Sequence, residues 1–74
     1  MKLDFHRIEN PFGHDRWTVR LLHDGQEIGE LYWYFMRQAY SLQPVPDYTY
    51  TPDQLIEIAD FAANLTAVEK GGPQ

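Results

Sequence analysis

The sequence predicts an α+β protein of two layers: a four-stranded antiparallel sheet, in β-β-β-β-α order, with one C-terminal amphipathic helix packed on one face. Three observations predict it. Residues 2–8, 16–22 and 27–35 alternate apolar and polar side chains with the period of two that marks half-buried strands. Asp24-Gly25, set between two of these runs, is a strong hairpin signal. Finally, the segment TPDQLIEIADFAANLTAV opens with the residues of a helix start and continues with an apolar stripe at helical spacing.

In the first strand, residues 2–8, Leu3 and Phe5 point one way and Lys2, Asp4 and His6 the other. The stretch NPFG then ends it. Asn10 at the first position, Pro11 with its φ near −65° at the second and Gly13 at the fourth match a type I turn. In the second strand, residues 16–22, Trp17, Val19 and Leu21 share one face and Arg16, Thr18 and Arg20 the other.

Parity selects the loop that follows, because a one-residue slip sends every side chain to the opposite face. A two-residue loop at Asp24-Gly25 sets Val19 against Glu30, a carboxylate on the core face. A three-residue loop, His23-Asp24-Gly25 with glycine in the left-handed conformation of a bulge, puts Trp17, Val19 and Leu21 on the same face as Gly29, Leu31, Trp33 and Phe35. The second loop is the expected one. Leu31, Trp33 and Phe35 are therefore expected in the core, and Tyr32 and Tyr34 on the reverse.

A tight connection around Arg37-Gln38 sets Phe35 opposite Tyr40 and Trp33 opposite Leu42, giving a fourth strand at residues 39–43. That turn lacks the Gly or Asn a two-residue hairpin favours. A competing reading winds residues 31–42 as a helix. PVPDYTYT is an extended connector, since each proline removes a ladder donor and biases its predecessor away from helix.

The helix has Thr51 at its N-cap, Pro52 at its first position, Asp53 complementing the dipole and Gln54 closing a capping box. Leu55, Ile58, Ala59, Ala62 and Leu65 make one stripe, widened by Ile56, Phe61 and Ala63, with Glu57, Asp60 and Asn64 opposite. Gly71 suits the position just past the helix and Pro73 prevents continuation. Residues 1–70 read as one domain and residues 71–74 as a short flexible tail.

At 74 residues, 43% apolar and 15% aromatic, the chain has material for one core, and its net charge of −5 is too modest for a disordered polymer. Without cysteine there is no disulfide framework or thiolate zinc site, which fits a reducing, cytoplasmic setting. MKLDFHRIEN lacks the uninterrupted apolar segment of a signal peptide, and no run approaches the about 20 apolar residues of a membrane span. An excess of 11 acids over 6 basic residues argues against non-specific nucleic-acid binding, and the carboxylates are spread too thinly to imitate DNA.

No catalytic set emerges. His6, His14 and His23 fall on a strand and in two different turns, with no ligand-pair spacing. His14-Asp15 has no accompanying nucleophile, and Asp53, Glu57 and Asp60 form a wet helix face. Gly71-Gly72 follows a helix rather than preceding one, so there is no phosphate loop. Neither a cofactor nor an enzymatic activity is expected.

The best candidate site is the uncovered sheet face, carrying Arg16, Thr18, Arg20, Leu22, Ile28, Glu30, Tyr32 and Tyr34, with Arg20 and Glu30 supporting each other diagonally. Its apolar members make a patch of about 300–600 Å², near the largest a soluble monomer leaves bare. Tyr and Arg are also the residues that dominate interface hot spots. Arg16, Arg20, Ile28, Tyr32 and Tyr34 are thus the expected contacts of a protein partner or of a face-to-face homodimer. The alternative is single-stranded nucleic acid stacked on the same tyrosines. The small size, acidic charge and sheet-plus-helix design resemble in style the accessory proteins of phages and mobile elements, some of which inhibit host defence enzymes; no motif carries that likeness.

Overall fold

Alternation carries the chain through four strands before the prolines of the connector end the sheet and the capping box starts a helix. The computed structural model describes residues 3–71; Lys2 of the expected first strand and residues 72–74 of the expected tail lie outside it. The elements are β1 (Leu3–Ile8), β2 (Arg16–Leu21), β3 (Glu27–Tyr34), β4 (Ala39–Pro44) and α1 (Pro52–Glu69). The sheet order is β1-β2-β3-β4, every neighbouring pair antiparallel, and α1 packs on one face. This is the expected two-layer α+β arrangement, and residues 31–42 form strand, turn and strand rather than a helix.

The first turn follows its sequence signal. Gly13 N–H donates to Asn10 O at 3.3 Å, and Asn10 Oδ1 accepts from Phe12 N–H. The β2–β3 hairpin keeps the expected parity by a different route. Trp17 faces Leu31 and Val19 faces Gly29, as expected, and Gly25 takes the left-handed φ of 75°. However, Leu21 closes the loop, its N–H donating to Gln26 O and its carbonyl accepting from Gly25 N–H, so the loop is longer than three residues. A bulge between Val19 and Arg20 then absorbs Ile28 and restores the register.

That bulge overturns the surface position expected of Ile28. The extra residue turns its side chain inward, and Ile28 is 0% exposed at the centre of the core. The β3–β4 turn brings a second correction. Arg37 N–H donates to Tyr34 O and Gln38 N–H to Phe35 O, with Gln38 at φ 54°, so residues 35–38 all belong to the connection. Trp33 consequently faces Tyr40 and Leu31 faces Leu42, a two-residue shift that preserves parity. Phe35, expected in the core, lies in the turn at 72% exposure.

Leu3, Val19, Ile28, Leu31, Tyr40 and Ile58 form the buried core, with Phe5, Trp17, Trp33, Leu42, Phe61 and Leu65 packed against it. Fully burying a side chain of this size stabilises by about 1.5–3 kcal/mol. Phe61 stacks on Phe5 with centroids 4.0 Å apart and meets Trp17 edge-on at 5.1 Å. Thr66 Oγ1 accepts the Tyr40 backbone N–H and donates to Ala62 O, tying the helix to the rim of β4.

The helix starts as its sequence requires: Thr51 Oγ1 accepts from Gln54 N–H while Gln54 Oε1 accepts from Thr51 N–H. Gly71, at φ 114°, follows the Lys70 cap. Its inward stripe is rotated from the expected one. Ile58, Phe61, Ala62 and Leu65 face the sheet, whereas Leu55, Ile56, Ala59 and Ala63 are exposed. Glu57, expected on the wet side, is half-buried, with Oε2 enclosed and without a hydrogen-bond partner. The large rings of Phe61 and Trp17 decide this rotation, because edge-to-face and stacked contacts need Phe61 directly over the sheet.

The connector seals the same face as the helix. Tyr48 and Tyr50 pack against the core, Tyr48 OH donates to Gln54 Oε1 and Tyr50 OH to Ile28 O. Gly29 permits this approach: a Cβ there would lie 2.9 Å from Leu42 Cδ1 and 3.0 Å from the Tyr50 hydroxyl. Among the described residues no helix is long and apolar enough to cross a membrane.

Candidate functional site

With the helix and connector on one side, the pairing leaves a single open face. It carries Asp4 and His6 from β1, Arg16, Thr18 and Arg20 from β2, Glu30, Tyr32 and Tyr34 from β3, and Ser41 and Gln43 from β4. Of the five residues singled out in the sequence, Arg16, Arg20, Tyr32 and Tyr34 lie on this face, while Ile28 is in the core.

The charges pair differently from expectation. Arg16 Nη2 donates to Glu30 Oε1 at 2.7 Å, and Arg20 Nη2 to Asp4 Oδ2 at 2.9 Å. The register explains the exchange. Asp4 stands directly opposite Arg20 across β1–β2, whereas the bulge sets Arg20 against Glu27 and displaces it from Glu30. Arg20 Nε is enclosed without a hydrogen-bond partner. Both pairs are solvent-accessible, and each contributes under about 1 kcal/mol.

The rings of Tyr32 and Tyr34 meet edge-on with centroids 6.2 Å apart. Beside Tyr32, a concavity of about 500 Å³ is lined by Asn10, His14, Arg16, Glu30, Trp33 and Gln43. Its volume lies within the about 300–1,000 Å³ of ordinary ligand clefts. Asn10 and His14 come from the β1–β2 loop, which is anchored over the end of β3. There the His14 ring lies against Trp33, tilted by 34° with centroids 4.4 Å apart, and Nδ1 lies 2.7 Å from Glu69 Oε1 at the end of α1. Asp15 is equally committed, accepting from Asn10 N–H and from Arg7 Nε at 2.9 Å. His14-Asp15, which the sequence leaves without an accompanying nucleophile, pins that loop.

Compared with known proteins, the chain matches no protein-family model, no curated protein and no solved structure.

The buried Tyr40 supports the β1–β2 loop from the core, its hydroxyl donating to Asp15 O at 2.8 Å. Burial pushes the Tyr40 phenol above its ordinary value, and the carboxylates of Glu69 and Asp15 push the same way, while a hydrogen bond with Trp17 opposes them. Sequence reading missed His14 and Trp33 as lining residues. It also missed Phe35 and Met36, which follow Tyr34 directly and are 72% and 75% exposed. A signal for the last two was present: the absence of Gly or Asn at Arg37-Gln38 argues for a longer turn, and a longer turn lifts both side chains out of the sheet.

Proposed function

We propose that this chain is a small, non-catalytic interaction module that recognises a protein partner through the open face of its sheet. Arg16, Arg20, Tyr32 and Tyr34 make the contact, with Phe35 and Met36 extending it. One-sided packing carries the reading: α1, Tyr48 and Tyr50 all serve the opposite face, so aromatic rings and a concavity are left facing outward. The composition of that surface, tyrosine and arginine around a cleft, is the composition of interface hot spots. Asp4, Glu30, Arg16 and Arg20 are engaged with one another, which speaks for a preorganised contact rather than for acid–base chemistry. The same ion pairs weigh against single-stranded nucleic acid, since phosphate attraction requires basic groups that are not already neutralised.

The test compares capture by the wild type with capture by Tyr32→Ser/Tyr34→Ser and, as an exposed control in the β2–β3 loop, Leu22→Ser. A specific protein retained by the wild type and the control but lost by the double variant is the expected result. Retention of the same protein by all three, or of nucleic acid alone, overturns the reading.

A further inference from the structure

The two edges of the sheet are finished differently, and the difference points to a second interface. On β4, the Tyr40 N–H is taken by Thr66, and Pro44 has no N–H to offer. That edge is blunted in the manner by which natural sheets avoid further pairing. On β1 there is no proline and no bulge in the pairing with β2.

The hydrogen-bonding direction of β1 follows by alternation across the sheet. Tyr40 N–H leaves the ladder for Thr66, so its partner Trp33, and with it Leu31 and Gly29, points towards β2. Trp17 and Val19 therefore point towards β3, and Arg16, Thr18 and Arg20 towards β1. Leu21, whose N–H donates to Gln26 O, agrees from the other end of the strand. Ile8, His6 and Asp4 are consequently the residues bonded to β2, while Leu3, Phe5 and Arg7 turn their backbone groups outward.

We propose that β1 pairs antiparallel with β1 of a second copy about a two-fold axis through Phe5, joining two sheets edge to edge into one continuous sheet. A two-fold normal to the sheet keeps each face on its own side and restricts the register to centres on a single residue. Centring on Asp4 sets Asp4 against Asp4, and centring on Arg7 sets Arg7 against Arg7, like charges directly opposed. Centring on His6 sets the two imidazoles directly against each other. Centring on Phe5 avoids these conflicts. It places Asp4 opposite the second copy's His6 on the open face, twice by symmetry, and Phe5 against Phe5 on the helix face, where each ring already stacks on Phe61. Its pairs Leu3–Arg7, Phe5–Phe5 and Arg7–Leu3 are the outward-facing positions, so each pair exchanges both main-chain hydrogen bonds. Asp4 then lies between Arg20 of its own chain and the imidazole across the seam. The two open faces end on the same side, presenting the tyrosine surface twice; this goes beyond the open-face reading and stands independently of it.

Sedimentation of the full chain and concentration-dependent amide exchange test it. The expected species has twice the 8.7 kDa chain mass, with the Phe5 and Arg7 amides protected increasingly as concentration rises. His6→Asp, which opposes carboxylates twice across the seam, weakens the dimer about tenfold or more. Arg7→Pro, which deletes an outward N–H without touching the β2 ladder, also weakens it, and circular dichroism checks that each variant folds. Tyr32→Ser leaves the dimer intact, separating this interface from the open face. A monomer at every concentration overturns the proposal, as does a dimer that His6→Asp leaves unchanged.

Discussion

Val19 and Leu31 on the helix side of the sheet are completely buried, whereas one residue earlier on the same strands Thr18 and Glu30 face the open side, where Glu30 holds the Arg16 guanidinium. The backbone of the two faces is shared, so only the layer above them differs. On the covered side, Ile58, Phe61 and Tyr50 remove apolar surface from water; on the open side, ion pairs and edge-on tyrosines remain in solvent. Stability therefore resides on one face, and the other is free to be shaped for contact.

Four substitutions break or sharpen this contrast. The largest effect is expected from Leu31→Ala, which leaves a cavity between the layers and lowers unfolding free energy by about 2–5 kcal/mol in urea denaturation. Gly29→Ala comes next: its Cβ meets Leu42 and the Tyr50 hydroxyl, so the connector must move and about 1–3 kcal/mol is lost by the same measurement. Unchanged stability there would show that Tyr50 does not seal the covered face.

Tyr40→Phe removes the hydrogen bond to Asp15 O and costs about 1 kcal/mol at neutral pH. Because burial raises the folded phenol above its ordinary value of about 10, the wild type binds the Tyr40 proton more tightly folded than unfolded. Its contribution is complete below that value and is lost as pH climbs through the raised value, so the gap to Tyr40→Phe narrows in denaturation curves taken above about pH 10. The smallest effect belongs to the open face. Glu30→Gln weakens an exposed pair and shifts stability by no more than about 0.5 kcal/mol. A loss approaching that of Leu31→Ala would erase the distinction between the faces.

Much of this was legible in the residues. Trp17, Val19, Leu31 and Trp33 turn to the core side and Arg16, Arg20, Tyr32 and Tyr34 to the other, as alternation required. The Thr51 capping box formed because its hydrogen bonds span three residues. Ile28 was misplaced because a bulge adds a residue that counting by parity does not detect. Phe35 was misplaced because the turn recruited Gln38 into a left-handed conformation, which its side chain does not advertise. The helix rotation escaped because apolar residues surround much of its circumference, leaving several stripes of similar merit.

The sequence by itself determined the number and type of elements, the antiparallel order expected of short connections, and which strand residues share a face, because these follow from local periodicity, turn chemistry and capping. Only the tertiary structure decided which helix stripe meets the sheet, where Ile28 goes, how Arg16 and Arg20 choose their carboxylates and how His14 reaches Trp33 and Glu69. Those outcomes depend on register and on ring-to-ring fit between segments distant in the chain, and neither is encoded in any single stretch of it.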